Sequence, residues 1–319
     1  MSQDAETLLE LKGLDVTFKT RRGTLKAVDD LSLSVHKGEI LGIVGESGAG
    51  KSMTGAAIIG LIDPPGRVSA GEVWFEGERV DANPERLRGR QISMVFQDPL
   101  TSLNPLRTVG DQLVETILAH MDVSKSQALQ RARDGLAEVG IDPDRINAYP
   151  HAFSGGMRQR VVIALALATE PKLVIADEPT TALDVSVQAQ VLDLLKQLCR
   201  ERGTSVILIT HDMGVIAQTS DRVAVMYAGR LAEIGTTREV LTNPQHPYTQ
   251  GLMASTPSVD AKSFGKELFQ IPGAMPKLDA LPSGCAFNPR CQAVHARCSV
   301  ERPPMMNGRA ACWLMENAS

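Results

Sequence analysis

Gly45-Glu46-Ser47-Gly48-Ala49-Gly50-Lys51-Ser52 has the residue types and spacing of a phosphate-binding loop: a glycine, four residues, then Gly-Lys-Ser. An apolar run, Ile40-Leu41-Gly42-Ile43-Val44, precedes it and a helix-like stretch from Lys51 to Leu61 follows, which is the strand-loop-helix setting this chemistry needs. Gly45, Ser47, Gly48 and Gly50 let backbone N–H groups turn inward around a β-phosphate. The Lys51 ammonium spans the β- and γ-phosphates, and the Ser52 hydroxyl ligates Mg²⁺. Met53 stands where a dinucleotide-binding fingerprint wants a third small residue, which argues against that turn. A second apolar run, Leu173-Val174-Ile175-Ala176, ends in Asp177-Glu178. Alone, two carboxylates at a strand end read as a solvated tip. Paired with the phosphate loop, Asp177 holds Mg²⁺ through water and Glu178 polarises an attacking water as general base.

Phe153-Ser154-Gly155-Gly156-Met157 precedes the Asp-Glu strand and resembles the Leu-Ser-Gly-Gly-Gln signature of ATP-binding-cassette ATPases. The resemblance extends over about residues 8 to 242. It implies that Gln97 is the glutamine-loop residue and a Mg²⁺ ligand, and that Ala182-Leu183-Asp184 is the loop that crosses a dimer, with Asp184 at the nucleotide. It also implies that His211 is the switch histidine, hydrogen-bonded to the γ-phosphate and Glu178. Glycines beside a serine at a helix start present N–H groups, a hydroxyl and the positive helix end to an anion. In the family that anion is the γ-phosphate held by the opposite subunit, so two cassettes close around two ATP molecules. Ser154, Gly155 and Gly156 supply the phosphate contacts. Phe153 stands for the usual Leu and Met157 for the usual Gln, and the Met157 replacement affects the side-chain contact to the nucleotide sugar. Phe18 has two readings: Leu14, Val16 and Phe18 alternate as a core strand face does, and the family stacks an aromatic residue near here on adenine.

The elements that must position these residues predict an α/β fold. Short β-type runs open the chain (Leu8 to Thr20, Leu25 to Val35), and further strands fall at residues 71–77 and 91–96. Residues 108–147 show helical spacing, and buried strands recur at 173–176, 206–209 and 223–226 with helical segments between, as a parallel sheet requires. The resemblance implies a RecA-like parallel-sheet core, an N-terminal antiparallel β-subdomain and a helical signature subdomain. The cassette is expected over residues 1–242, with its helical subdomain at about 98–170. From Asn243 the periodicity fades, so residues 243–319 are expected to form a loop-rich, Cys-containing extension.

Two further stretches narrow the resemblance. Residues 96–105, Phe-Gln-Asp-Pro-Leu-Thr-Ser-Leu-Asn-Pro, and His246-Pro247-Tyr248-Thr249 are similar to the oligopeptide and dipeptide importers, a subgroup that includes nickel uptake systems. In that subgroup the cassette is followed by Gly-Cys-x-Phe-x-x-Arg-Cys, which reads here as Gly284-Cys285-Ala286-Phe287-Asn288-Pro289-Arg290-Cys291. The tail cysteines Cys285, Cys291, Cys298 and Cys312 are spaced C-x5-C, C-x6-C and C-x13-C, gaps that fit a zinc ribbon poorly. Four thiolates in a reducing compartment suit an iron–sulfur cluster better, and the resemblance to relatives with this tail implies a 4Fe–4S cluster rather than zinc or no metal. Cys199 reads as a packed helix residue.

The 319 residues carry 33 Lys and Arg against 37 Asp and Glu, a formal charge of −4, which is not a nucleic-acid-binding balance. Aromatic residues are 4%, too few for a base-stacking platform. The longest apolar run, Val161 to Ala168, is far short of the roughly 20 residues of a membrane span. The acidic start has no basic region leading into an apolar stretch, which predicts no secretory leader. The resemblance then implies a peripheral ATPase at the cytoplasmic face of the inner membrane that powers peptide import. Its implied partners are a second ATPase subunit (itself or a homologue), two transmembrane permease subunits and an extracytoplasmic solute-binding protein. The alternatives are a same-family importer of nickel or another small solute, and a soluble cassette ATPase of DNA repair or translation.

Overall fold

Runs that are apolar at every position fold as strands only between two covering layers, whereas alternating runs make sheets with one wet face. Both kinds occur. The computed structural model describes residues 6–21, 23–98, 102–180, 183–256 and 269–317. In chain order the strands are β1 (Thr7–Thr20), β2 (Gly23–His36), β3 (Ile40–Val44), β4 (Gly66–Phe75), β5 (Glu78–Arg79), β6 (Ile92–Val95), β7 (Leu173–Asp177), β8 (Ser205–Thr210), β9 (Arg222–Tyr227) and β10 (Arg230–Thr236). The helices are α1 (Lys51–Ile58), α2 (Val109–His120), α3 (Lys125–Glu138), α4 (Gly155–Leu167), α5 (Val185–Arg202), α6 (Met213–Thr219), α7 (Thr237–Thr242) and α8 (Pro247–Ser255). Parallel strands joined through helices, with a separate antiparallel sheet, are the expected α/β class.

The backbone divides into two units that interleave along the chain. The first takes Met1–Leu8, Val35–Ile40 and Ala82–Ile209. Here β6, β7 and β8 run parallel, Ile92 opposite Leu173 and Leu173 opposite Ser205. β7 and β8 are buried at every residue, which is why their sequences show no alternation. Thr108 caps α2 by accepting from the Asp111 N–H, and Ser124 with Gln127 forms a capping box on α3. Val109, Leu113 and Ile117 recur at helical spacing on α2, as do Ala128, Ala132 and Leu136 on α3, so the two helices pack on each other. The apolar run at Val161 belongs to α4, where Val161, Val162, Ile163, Ala164, Ala166 and Leu167 are all buried. Among the described residues no helix is long and apolar enough to cross a membrane.

The second unit takes Leu9–Ser34, Leu41–Asp81 and Thr210–Ser319. It holds an antiparallel sheet in the order β2-β1-β4-β5, and beside it β3, β9 and β10, with β3 parallel to β9 and β9 antiparallel to β10. β4 begins at Gly66, earlier than the expected Gly71. β10 is unexpected from sequence, because Glu233 interrupts its apolar run. In the fold Glu233 is fully buried, and its two carboxylate oxygens accept the N–H groups of Gln245 and His246 at 2.8 Å each. Those bonds pin the start of α8, a helix in what the sequence predicts as a loop-rich tail. His246 caps α8 through Nδ1, which accepts from the Tyr248 N–H at 3.0 Å, and Pro247 occupies the first turn.

His246 is enclosed, and desolvation pushes its imidazole pKa down to about 4. Protonating Nδ1 destroys the cap. The folded value lies below the unfolded value of about 6.5, so this stabilisation is complete above that pH and is lost as pH falls towards the folded value. Thermal unfolding followed from pH 7 down to 4 is expected to show a steeper loss for wild type than for His246→Asn, which keeps an acceptor and does not titrate. Parallel curves would refute the assignment.

Candidate nucleotide site

In the second unit β3 feeds the chain into the phosphate loop. Gly45 has φ 157 and Gly50 φ 97. A Cβ on Gly45 would lie 2.2 Å from the carbonyl oxygen of Met226, and one on Gly50 would lie 2.5 Å from that of Ala27. The backbones of β9 and β2 therefore press directly on the loop and admit no side chain at either position. Ser47 and Gly48 form the exposed crest. Gly50 caps α1 without any side-chain hydrogen bond, an arrangement that presents a helix start to an anion. Lys51 is buried, and its Nζ donates to the carbonyls of Gly45 at 2.8 Å and Glu46 at 3.2 Å; Ser52 follows, half-buried. Phe18 is half-buried on β1 with its ring against Gly66. His211 is exposed just beyond β8, before α6, which Asp212 caps.

In the first unit Asp177 ends β7 and is buried, while Glu178 is half-buried. The Glu178 N–H continues the β7–β8 ladder by donating to the Ile209 carbonyl at 2.8 Å. Its φ is 45°, a left-handed conformation that costs a non-glycine residue about 1–3 kcal/mol and that clusters at functional sites. The Glu178 carboxylate accepts from Gln97 Nε2 at 3.1 Å, so two predicted site residues meet. Ser154 caps α4 by accepting from the Met157 N–H. A Cβ on Gly156 would lie 2.5 Å from a Val187 methyl, so this glycine also admits the start of α5. Asp184 caps α5. The Val187 N–H and then the Ser186 hydroxyl hold its carboxyl below the usual carboxylate range. Ala182, and Pro99 to Thr101 of the importer-like stretch, lie outside the described residues.

Sequence reasoning missed the side chains that support these motifs. The Arg145 guanidinium lies 4.3 Å over the Phe153 ring, and its Nη1 lies 3.6 Å from Met157 Sδ, so one arginine packs both departures from the usual signature. Glu46 is bonded by Tyr248 and Arg290, from stretches that sequence marks only through the family.

Cys285, Cys291, Cys298 and Cys312 line one cavity with His246, Phe287 and Trp313. All are free thiols. Burial pushes the thiols of Cys285 and Cys291 up and that of Cys312 up to about 11, and a metal would have to displace those protons. Among the described residues no group of three or more His, Cys, Asp or Glu has metal-binding geometry, so the fold brings the four thiols to one place without arranging them as ligands. Cys199 is buried in α5, where desolvation pushes its thiol up to about 12.

The ABC transporter family matches residues 28–181, and the C-terminal region of oligopeptide/dipeptide transporters matches residues 232–298. The dipeptide transport ATP-binding protein DppD of Bacillus subtilis is 48% identical over 98% of this chain and 96% of its own length. The oligopeptide transport ATP-binding protein OppD of Salmonella typhimurium is 50% identical over 95% of this chain and 91% of its own. Among solved structures, the ATP-binding cassette MJ0796 bound to ADP and Pi superposes with a TM-score of 0.65 at 29% identity, covering 72% of this chain and 99% of that one. The chain belongs to the ABC transporter family, in its ATP-binding, ATPase subunit class, and carries the oligopeptide/dipeptide-type C-terminal region.

The close approaches at the loop predict that Gly50→Ala, whose Cβ has nowhere to go, weakens ATP binding by at least about tenfold, and Gly48→Ala, which faces open space, by less. Titration with a fluorescent ATP analogue checks the order; equal losses would contradict the packing argument.

Proposed function

We propose that this chain is the subunit that binds and hydrolyses ATP to power import of di- or oligopeptides. The observation that carries the reading is the extent of the similarity: relatives named for dipeptide and oligopeptide transport match across nearly the whole chain, C-terminal region included. A soluble role in DNA repair or translation has no comparable support. The partners under this reading are two transmembrane permeases, an extracytoplasmic solute-binding protein and a second ATPase subunit, with the chain peripheral at the cytoplasmic face of the membrane. The proposed division is a cassette over residues 1–242 and an extension over 243–319. Labelled di- and oligopeptide uptake in a strain lacking this chain tests the substrate: lost uptake is expected, whereas intact peptide uptake with lost nickel uptake would overturn it.

In the proposed mechanism the phosphate loop and Lys51 hold the β- and γ-phosphates, with Gly45, Ser47, Gly48 and Gly50 shaping the cradle and Phe18 at the adenine. Ser52, Gln97 and Asp177 are the residues that would hold Mg²⁺, which would supply charge neutralisation at the transferring phosphoryl group. Glu178 takes the proton of the attacking water, and the Gln97 amide and the strand-end hydrogen bond orient it. His211 fixes the closed geometry at the γ-phosphate. Ser154, Gly155 and Gly156 serve the nucleotide of the partner subunit, and Asp184 stands at that boundary. Glu178→Gln is expected to keep Mg-ATP binding while kcat falls by about 10²- to 10⁴-fold, and to trap the closed dimer. Steady-state phosphate release checks this, and near-normal turnover would refute the base assignment.

For the tail, the finer proposal is a 4Fe–4S cluster held by Cys285, Cys291, Cys298 and Cys312. Its support is the donor set, four thiols on one cavity, and not the present geometry. Such a cluster would staple the loop-rich segment. Anaerobically purified protein is expected to contain iron and acid-labile sulfide; colourless protein with neither would overturn the cluster.

A further inference from the structure

Glu46, a variable position of the phosphate loop, is held at each of its polar groups. Its N–H donates to the Tyr248 hydroxyl at 2.8 Å. Its carbonyl accepts from Lys51 Nζ at 3.2 Å and from the Ala49 N–H at 3.1 Å. Its carboxylate receives the Arg290 guanidinium as a two-pronged fork, Nη1 to Oε2 at 2.7 Å and Nη2 to Oε1 at 2.9 Å. Arg290 is the arginine of the Cys-x-Phe-x-x-Arg-Cys stretch and Tyr248 the tyrosine of His-Pro-Tyr-Thr. Two of the three stretches that distinguish this chain from a general cassette thus converge on one loop residue, and all these groups belong to the second unit.

Arg290 is itself immobilised. Its side chain is 6% exposed, its Nε donates to the Pro272 carbonyl at 2.8 Å, and Nη1 reaches the Tyr227 hydroxyl at 3.3 Å. The rings of Tyr227, Tyr248 and Phe287 pack edge-on or tilted, 4.6 to 5.4 Å apart, so the hydroxyl and the guanidinium are presented from a rigid cluster. An anchor that only attached the extension could meet any surface carboxylate. This one grips the loop whose backbone must stay in a left-handed, closely packed path, at the residue whose carbonyl also bonds the phosphate-binding lysine.

We propose that Arg290 is a positioning residue for ATP binding, which through Glu46, and together with Tyr248, braces the phosphate loop in its binding conformation. The inference rests on the ATP-binding reading of that loop. The loop contacts phosphate in ground state and transition state alike, so loss of the brace removes uniform binding and raises KM more than it lowers kcat.

The test is a double-mutant cycle on the full chain in its assembled transporter, reading KM for ATP and kcat of phosphate release, with thermal unfolding alongside. Arg290→Ala and Glu46→Gln are each expected to raise KM by about tenfold, with kcat within about threefold of wild type, and the double variant to be no worse than the weaker single. Arg290→Lys is expected to fall between wild type and Arg290→Ala, because a point charge cannot satisfy both carboxylate oxygens. A lowered melting temperature with unchanged KM, or single effects that multiply in the double variant, would overturn the brace and leave only an anchor. If Arg290→Ala does not fold, Arg290→Lys and Glu46→Gln carry the same comparison. A wild type that neither binds nor hydrolyses ATP would instead overturn the reading beneath it.

Discussion

The structure turns on the backbone approach at the phosphate loop. Carbonyls of Met226 and Ala27 stand where any Cβ on Gly45 or Gly50 would be, so the loop's path is imposed by its neighbours on β9 and β2 as well as by its own sequence. Anion binding by main-chain N–H groups has no side chain to adjust, and the groups must already point correctly. The surroundings in the second unit follow from that demand: β3 delivers the chain, α1 takes it away uncapped, and Glu46 is fixed at both its backbone and its carboxylate. Exposed ion pairs such as Lys37–Glu6 contribute about 0–1 kcal/mol. Arg290–Glu46 is of a different kind, because removing one partner of a largely buried pair costs about 3–5 kcal/mol, here towards the lower end since Glu46 keeps some exposure.

Similar rules hold around Glu178 in the first unit. Glu178 continues a buried strand by one hydrogen bond and then leaves it in a left-handed conformation, so its carboxylate departs from a fixed point and is met by Gln97. Ser154 and Asp184 each cap a helix, so residues whose types suggest nucleotide contacts also organise the elements that carry them. Gly156 has a packing requirement from Val187 as well as the phosphate role proposed for it. Function and local folding are therefore not separable at these positions, and a substitution that tests one also perturbs the other.

Motifs built on local geometry were legible in the sequence. Strand-glycine-lysine-helix and strand-Asp-Glu announce themselves because the chemistry and the secondary structure share the same few residues. Elements that depend on distant partners were not. β10 was hidden because Glu233 looks like a surface residue until the N–H groups of Gln245 and His246 neutralise its burial. α8 was hidden for the same reason, since its start is fixed by that carboxylate and a histidine cap rather than by an apolar period. Arg145 beneath Met157, and Arg290 on Glu46, are long-range contacts that no periodicity reports. The four tail cysteines were visible as a cluster in sequence, and the fold gathers them on one cavity, but the ligand geometry expected of a metal site is absent among the described residues.

Coupling of ATP hydrolysis to peptide transport is the claim on which the account stands. The most direct measurement is phosphate release by the assembled complex in vesicles, with and without a peptide-loaded solute-binding protein outside. Mg²⁺-dependent release that rises when peptide is supplied, together with peptide accumulation, is the expected result. Release that is absent, or that ignores peptide while none accumulates, would contradict it.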